Sequence, residues 1–165
     1  MVKSICPGCG LELESADLRH DDRFTASCAC RILYDELSAF TLTVADADFP
    51  HQLIVDTYCA QHVGPNVKTI SIAFSLIGLY LVVERGYTGK QVQLAHMALA
   101  TKSKTWPHFN PPPQTSTITV FDVVNGIDVE NYRKRIYEWA GSVWKAWESS
   151  HTDVADLAIK YFNFV

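Results

Sequence analysis

Apolar residues recur at helical spacing along most of the chain, and this periodicity outlines the fold. Over residues 31–42, Ile32, Leu33, Leu37 and Phe40 fall near one face of a helix. Residues 46–50 interrupt the pattern. Asp48 is placed as an N-cap there and Pro50 suits a first helical turn, so a second helix is expected over 50–62, stopped by Val63, Gly64 and Pro65. Residues 67–85 are apolar on nearly every face, which marks a helix at the centre of the core, with Gly86 placed to end it. Thr88 then reads as the N-cap of a fourth helix over 90–101, carrying Val92, Leu94, Ala95, Met97, Ala98 and Leu99.

Beyond that point the pattern changes. Residues 102–117 contain Trp106-Pro107 and Pro111-Pro112-Pro113, which break any regular ladder. The β-branched run TITVFDVV at 117–124 predicts a short strand or an extended arm lying on the bundle. Over 129–149, Tyr132, Ile136, Trp139, Val143, Ala146 and Trp147 form an apolar stripe suited to docking a long helix, and 153–164 suggests a short final one. The sum is a single, mainly α domain: a bundle of about five helices behind an N-terminal lobe that its Cys6-Pro7-Gly8-Cys9-Gly10 turn marks as a zinc knuckle. Its expected parts are a metal-binding lobe at 1–30, a helical core at 31–101, a Pro-rich extended segment at 102–128 and C-terminal helices at 129–165.

The first thirty residues lack hydrophobic periodicity but carry the segment Cys6-Pro7-Gly8-Cys9-Gly10. A C-x2-C turn sets two thiolates on one side of a tight loop, near the geometry a tetrahedral zinc ion needs. Cys28 and Cys30 follow at a loop length usual for a two-knuckle site, though as C-x-C rather than C-x2-C. Two ligand sets are open: all four cysteines, or Cys6, Cys9 and one of the later pair with His20 or His51. Zinc is favoured by sulfur-rich tetrahedral ligation, with an iron–sulfur centre as the alternative under the same ligand logic. Cys59 sits among apolar neighbours and reads as core. The N-terminus, MVKSICPGCG, shows no signal-peptide pattern, which points to a cytoplasmic, reducing compartment where five cysteines do not make a disulfide framework.

On the helix at 50–62, His51, Val55, Tyr58 and His62 share a face. Eleven residues of helical rise separate the two histidines by roughly 16 Å, so they cannot share one ion. His51, beside the 46–50 break, is free to face the metal lobe, while His62 is placed to meet the C-terminal dipole. Asp56 is a carboxylate on an otherwise apolar helix and must be exposed or paired. It reads as a partner of a histidine ring, or as part of a buried network with Tyr58, Gln61 and His96. Asp56, His62 and Tyr58 are the candidate catalytic groups.

The formal net charge of −4 and a pI near 5.8 argue against a protein built around nucleic-acid phosphates. The most apolar run, at 70–83, is shorter than the ~20 residues a membrane span requires. No nucleotide-binding glycine loop, H-E-x-x-H or G-x-S-x-G motif occurs. Three functions follow. The first is a zinc-binding protein whose metal is structural and whose role is binding or adaptation. The second is a zinc-dependent enzyme, hydrolase or lyase-like, with an open zinc position served by His51, Asp56 and His62. The third is a small-molecule-binding bundle with a cavity lined by Tyr58, His62, His96 and Trp106. The implied partner is a small molecule or another protein.

The segments CPGCG, FPHQLIVDTYCAQHVG, GLYLVVERG, WPHFNPPP and YEWAGSVWKAW together resemble an uncharacterised bacterial family, the one labelled domain of unknown function 5946. Its members show CPxCG followed by a single later cysteine, whose place Cys30 takes here. The resemblance therefore implies a site of Cys6, Cys9 and Cys30 with a histidine, leaving Cys28 as an extra. It also implies that the metal lobe and the 51–62 helix form one unit, and it carries no assigned activity.

Overall fold

The computed structural model describes residues 2–17, 23–102, 105–113 and 118–162. Two short antiparallel strands, β1 (Lys3–Ile5) and β2 (Glu12–Glu14), pair Lys3 with Glu14 and Ile5 with Glu12, and the Cys6–Gly10 turn joins them. Seven α-helices follow among the described residues: α1 (Cys28–Val44), α2 (His51–Gln61), α3 (Thr69–Val83), α4 (Gly89–Ala100), α5 (Val120–Val124), α6 (Tyr132–Ala146) and α7 (His151–Tyr161). The fold is thus mainly α, and α5 is the helix that the periodicity does not suggest.

Local chemistry accounts for the boundaries. Ser27 caps α1 by accepting the Cys30 N–H at 3.2 Å, so the helix starts three residues earlier than the apolar pattern does. Thr88 and Gln91 form a capping box at the start of α4. Helix α3 ends where the N–H groups of Gly86 and Tyr87 reach the carbonyls of Val82 and Leu81. Asp48 does not cap α2, because its carboxylate is engaged by Arg133 at 3.0 Å.

The β-branched run expected as a strand or arm is instead helical at 120–124. Thr119 and Asp122 make a second capping box, and Val120 and Val123, three residues apart, are both buried. Capping and burial on a 3.6-residue period outweigh the strand propensity of the side chains here. Thr117 lies outside the described residues. The long helix expected over 129–149 ends at Ala146, and a 3₁₀ turn at Glu148–Ser150 leads into α7.

Helix α2 lies at the middle, packed on α3, α4 and α6. Two buried tryptophans from the C-terminal stripe fix its end: Trp139 Nε1 donates to Gln61 Oε1 at 3.0 Å and Trp147 Nε1 to the Ala60 carbonyl at 3.1 Å. Gln61 in turn donates to the Ile118 carbonyl at 2.8 Å. These bonds hold the end of α2 in one place, and the candidate site is built against it. No helix among the described residues is long and apolar enough to cross a membrane.

Candidate metal centre

Three segments bring four donor atoms together. The first is the turn between β1 and β2, closed by Cys6 N–H to the Leu11 carbonyl at 2.8 Å and Gly10 N–H to the Cys6 carbonyl at 2.9 Å. The second is the first turn of α1, which contributes Cys30. The third is the C-cap of α2, where the backbone leaves helical geometry and His62 turns towards the knuckle. The Thr25 N–H donates to the His62 carbonyl at 3.0 Å and ties the last two segments. Close approach explains Gly8: a Cβ there would lie 2.3 Å from the Thr25 carbonyl oxygen and 2.5 Å from His62 Cδ2.

The sulfurs of Cys6, Cys9 and Cys30 and a ring nitrogen of His62 all lie within 4.8 Å of one another, a set that can hold a metal ion. Cys9 and Cys30 Sγ are 3.8 Å apart, and Cys30 Sγ is 3.4 Å from His62 Nε2. His62 Nδ1 donates to the Tyr58 carbonyl at 2.8 Å, which fixes the tautomer and leaves the Nε2 lone pair facing the sulfurs. The ring is further held by stacking on Tyr58 at 3.9 Å between centroids, and Tyr58 stacks on Tyr34 at 4.2 Å. Further donors reach the sulfurs: Tyr58 Oη donates to Cys30 Sγ at 3.7 Å and Ser27 N–H to Cys6 Sγ at 3.5 Å.

Burial is nearly complete, with Cys6 1 %, Cys30 0 % and His62 0 % exposed; Cys9 is half-buried. Packed this closely, the thiols compete for negative charge. Donation from Cys30 and then Cys9 holds Cys6 well below the ordinary thiol range. Cys30 is pushed far up, first by Cys6, then by Cys9 and burial. Cys9 is drawn down by Cys30 but pushed up more by Cys6 and burial, to about 12. Crowding of the three sulfurs therefore opposes ionising all of them at once. A bound dication supplies the charge that lets all three ionise. Burial, and then Cys30, also raise Tyr58, so its hydroxyl stays a donor.

Several expectations are corrected by this arrangement. His51 does not face the cysteines; its Nδ1 pairs with Thr41 Oγ1 at 3.0 Å between α1 and α2. The helical-rise argument rightly separates the two histidines, but α2 runs so that its C-terminal end meets the knuckle. Cys28 stands outside the group because it is helical: side chains two residues apart on α1 point about 200° from each other, and Cys30 takes the inward position. His20 lies outside the described residues. Tyr58 supports the sulfurs rather than standing at an open face. Cys59 is buried, as expected, and burial raises its thiol to about 11.

Asp56 is 3 % exposed and belongs to another place, facing Gln52 and His96. His51, Asp56 and His62 therefore point to three separate neighbourhoods, not one. The cavity expected around Tyr58, His62, His96 and Trp106 divides in the same way. The first two line the sulfur cluster, while His96 and Trp106 both pack against Phe74, at centroid distances of 5.1 and 4.9 Å.

A family model described as Family of unknown function (DUF5946) matches residues 4–148, and the chain belongs to that family. The matched span contains all four residues of the cluster. No curated protein and no solved structure gives a match.

Proposed function

We propose that this family member is a zinc-binding helical protein whose ion is structural, sealing the N-terminal knuckle onto the bundle, and that the protein serves as a binding or adaptor module. The observation that carries this reading is the closed donor set: three cysteines and one histidine fill four positions, and three of the four side chains are at most 1 % exposed. Zinc–sulfur and zinc–nitrogen bonds of ordinary length place tetrahedral neighbours roughly 3.8 Å apart for two sulfurs and roughly 3.6 Å for sulfur and nitrogen. The separations of 3.8 and 3.4 Å suit that geometry with little movement. A donor set of three sulfurs and one nitrogen also favours zinc over the harder divalent cations.

A zinc ion bound there supplies a cross-link between β1, α1 and α2. With four protein ligands the site offers no position for water, which weighs against an enzyme built on an open zinc. Cysteines that form no disulfide with one another among the described residues accord with a reducing compartment such as the cytoplasm.

The test is elemental analysis of purified protein with a thiol count before and after chelation. One zinc per chain, with Cys6, Cys9 and Cys30 unreactive until chelation, is expected. No zinc and all cysteines reactive on unfolding without a chelator overturn the assignment.

A further inference from the structure

A cavity of about 180 Å³ lies between the Cys6–Gly10 turn, the C-terminal ends of α2 and α6, and the proline segment at 111–113. Its floor is held in place. Trp147 and Val143, each 1 % exposed, lie beneath it, and Trp147 Nε1 is committed to the Ala60 carbonyl. Gln61, the one side-chain amide in the wall, accepts from Trp139 through Oε1 and donates to the Ile118 carbonyl through Nε2. The surface left for a ligand comes from exposed Pro7, Pro111 and Pro113 and half-buried Val63, Pro112 and Ala146.

The chemistry of this wall narrows the ligand. No charged side chain lines it among the described residues, so an ionic group placed inside would lose water and gain no counter-charge. The prolines have a fixed φ and are rigid before anything binds. Proline rings pack on aromatic faces, the pairing that docks polyproline segments in aromatic-lined grooves; here the prolines are the wall and the aromatic ring is the guest. The prolines also contribute hydrogen-bond acceptors and no donor. Among the described residues no hydrogen bond reaches the carbonyls of Pro111, Pro112 or Pro113, which favours a ring that carries its own donor. The volume is close to the roughly 150 Å³ of an apolar cavity that takes up benzene, so it suits one ring or a compact fused pair.

We infer that this cavity binds a small uncharged aromatic molecule of the indole or phenol type, its ring against Val63, Pro112 and Ala146 and its N–H or O–H given to a carbonyl of the proline wall. The inference rests on the binding role proposed above and names a ligand for it. It needs the knuckle folded onto the bundle, since Cys9 borders the cavity, but not the identity of the ion.

The test is calorimetric titration of the full chain as purified, with zinc content measured on the same samples. Indole and phenol should bind in the sub-millimolar to millimolar range expected of so few atoms. Benzofuran, which keeps the shape of indole without its N–H, should bind about 3–10-fold more weakly. Cyclohexanol and benzoate, which lack the aromatic face or the neutrality of phenol, should each bind at least about tenfold more weakly than phenol. Ala146→Leu, at the end of α6, fills the cavity and should weaken indole binding about tenfold or more. Pro112→Ala, outside any helix, should weaken it a few-fold, and neither change should alter zinc content. Three results overturn the inference: no binding of indole or phenol at millimolar concentration, a comparison compound binding as tightly as its counterpart, or indole affinity unchanged in both variants. Zinc present with no indole bound counts against this site alone, whereas indole bound without zinc leaves the site standing and removes the metal assignment.

Discussion

Replacing His62 with alanine is the perturbation that most sharply separates the structure from what spacing alone suggests. The ring is fully buried and fills the only non-sulfur position of the cluster. Structural zinc in small domains contributes about 10–16 kcal/mol at neutral pH, so one ligand of four accounts for about 2.5–4 kcal/mol. That corresponds to a loss of roughly 10²–10³ in zinc affinity. Loss of the ring that stacks on Tyr58 at 3.9 Å also opens a cavity, which costs about 2 kcal/mol or more in the metal-free protein. Competition against a chromophoric chelator reads the first quantity, and chemical denaturation of metal-free protein reads the second. His51→Ala and Cys28→Ser are the controls, since both residues stand outside the cluster, and each should hold zinc as the parent does. Parental zinc affinity in His62→Ala, or loss of zinc in His51→Ala, refutes the assignment of the fourth position.

Gly8→Ala should weaken zinc binding and destabilise the knuckle by about 1–3 kcal/mol, because the new methyl meets the Thr25 carbonyl and the His62 ring; chelator competition and melting check both effects. Asp56→Asn tests the buried carboxylate through pH. Burial raises the Asp56 acid well above its ordinary 3.8, against a smaller opposing effect from Gln52. The folded chain therefore binds a proton that the unfolded chain has released, and stability is lost as pH rises from about 3.8 through the folded value. The groups nearest it are Gln52 and Cys59 on α2 and His96 on α4. The melting temperature of the variant minus that of the parent should rise with pH across this window, and a difference independent of pH counts against an acid buried in this way.

The helical core is legible in the sequence because its signals are local. The expected helices at 50–62, 67–85 and 90–101 correspond to α2, α3 and α4 within two residues at each end, since Gly64-Pro65, Gly86 and Thr88 mark breaks that any reader of turn chemistry can place. Helix α5 was hidden by its β-branched residues, whose capping box becomes decisive only once Val120 and Val123 have a surface to bury against. The choice between Cys28 and Cys30 depends on whether α1 begins before or after them. Ser27 settles that through a cap four residues ahead of the hydrophobic pattern.

His62 is a different kind of omission. Its place depends on the direction in which α2 runs past the knuckle, a tertiary fact held by Trp139, Trp147 and the Thr25–His62 backbone bond. Asp56 shows the same division. That it had to be unusual follows from a carboxylate on an apolar helix, but of the suggested partners only His96 lies beside it. Tyr58 faces the sulfurs and Gln61 bonds Trp139 and Ile118.

X-ray absorption at the zinc edge of the purified protein tests the central claim most directly, because it counts ligands by element and distance. The account predicts three sulfurs at about 2.3 Å and one nitrogen at about 2.0–2.1 Å, with no oxygen. A shell of four sulfurs, or a light-atom shell without the multiple-scattering pattern of an imidazole ring, would contradict it.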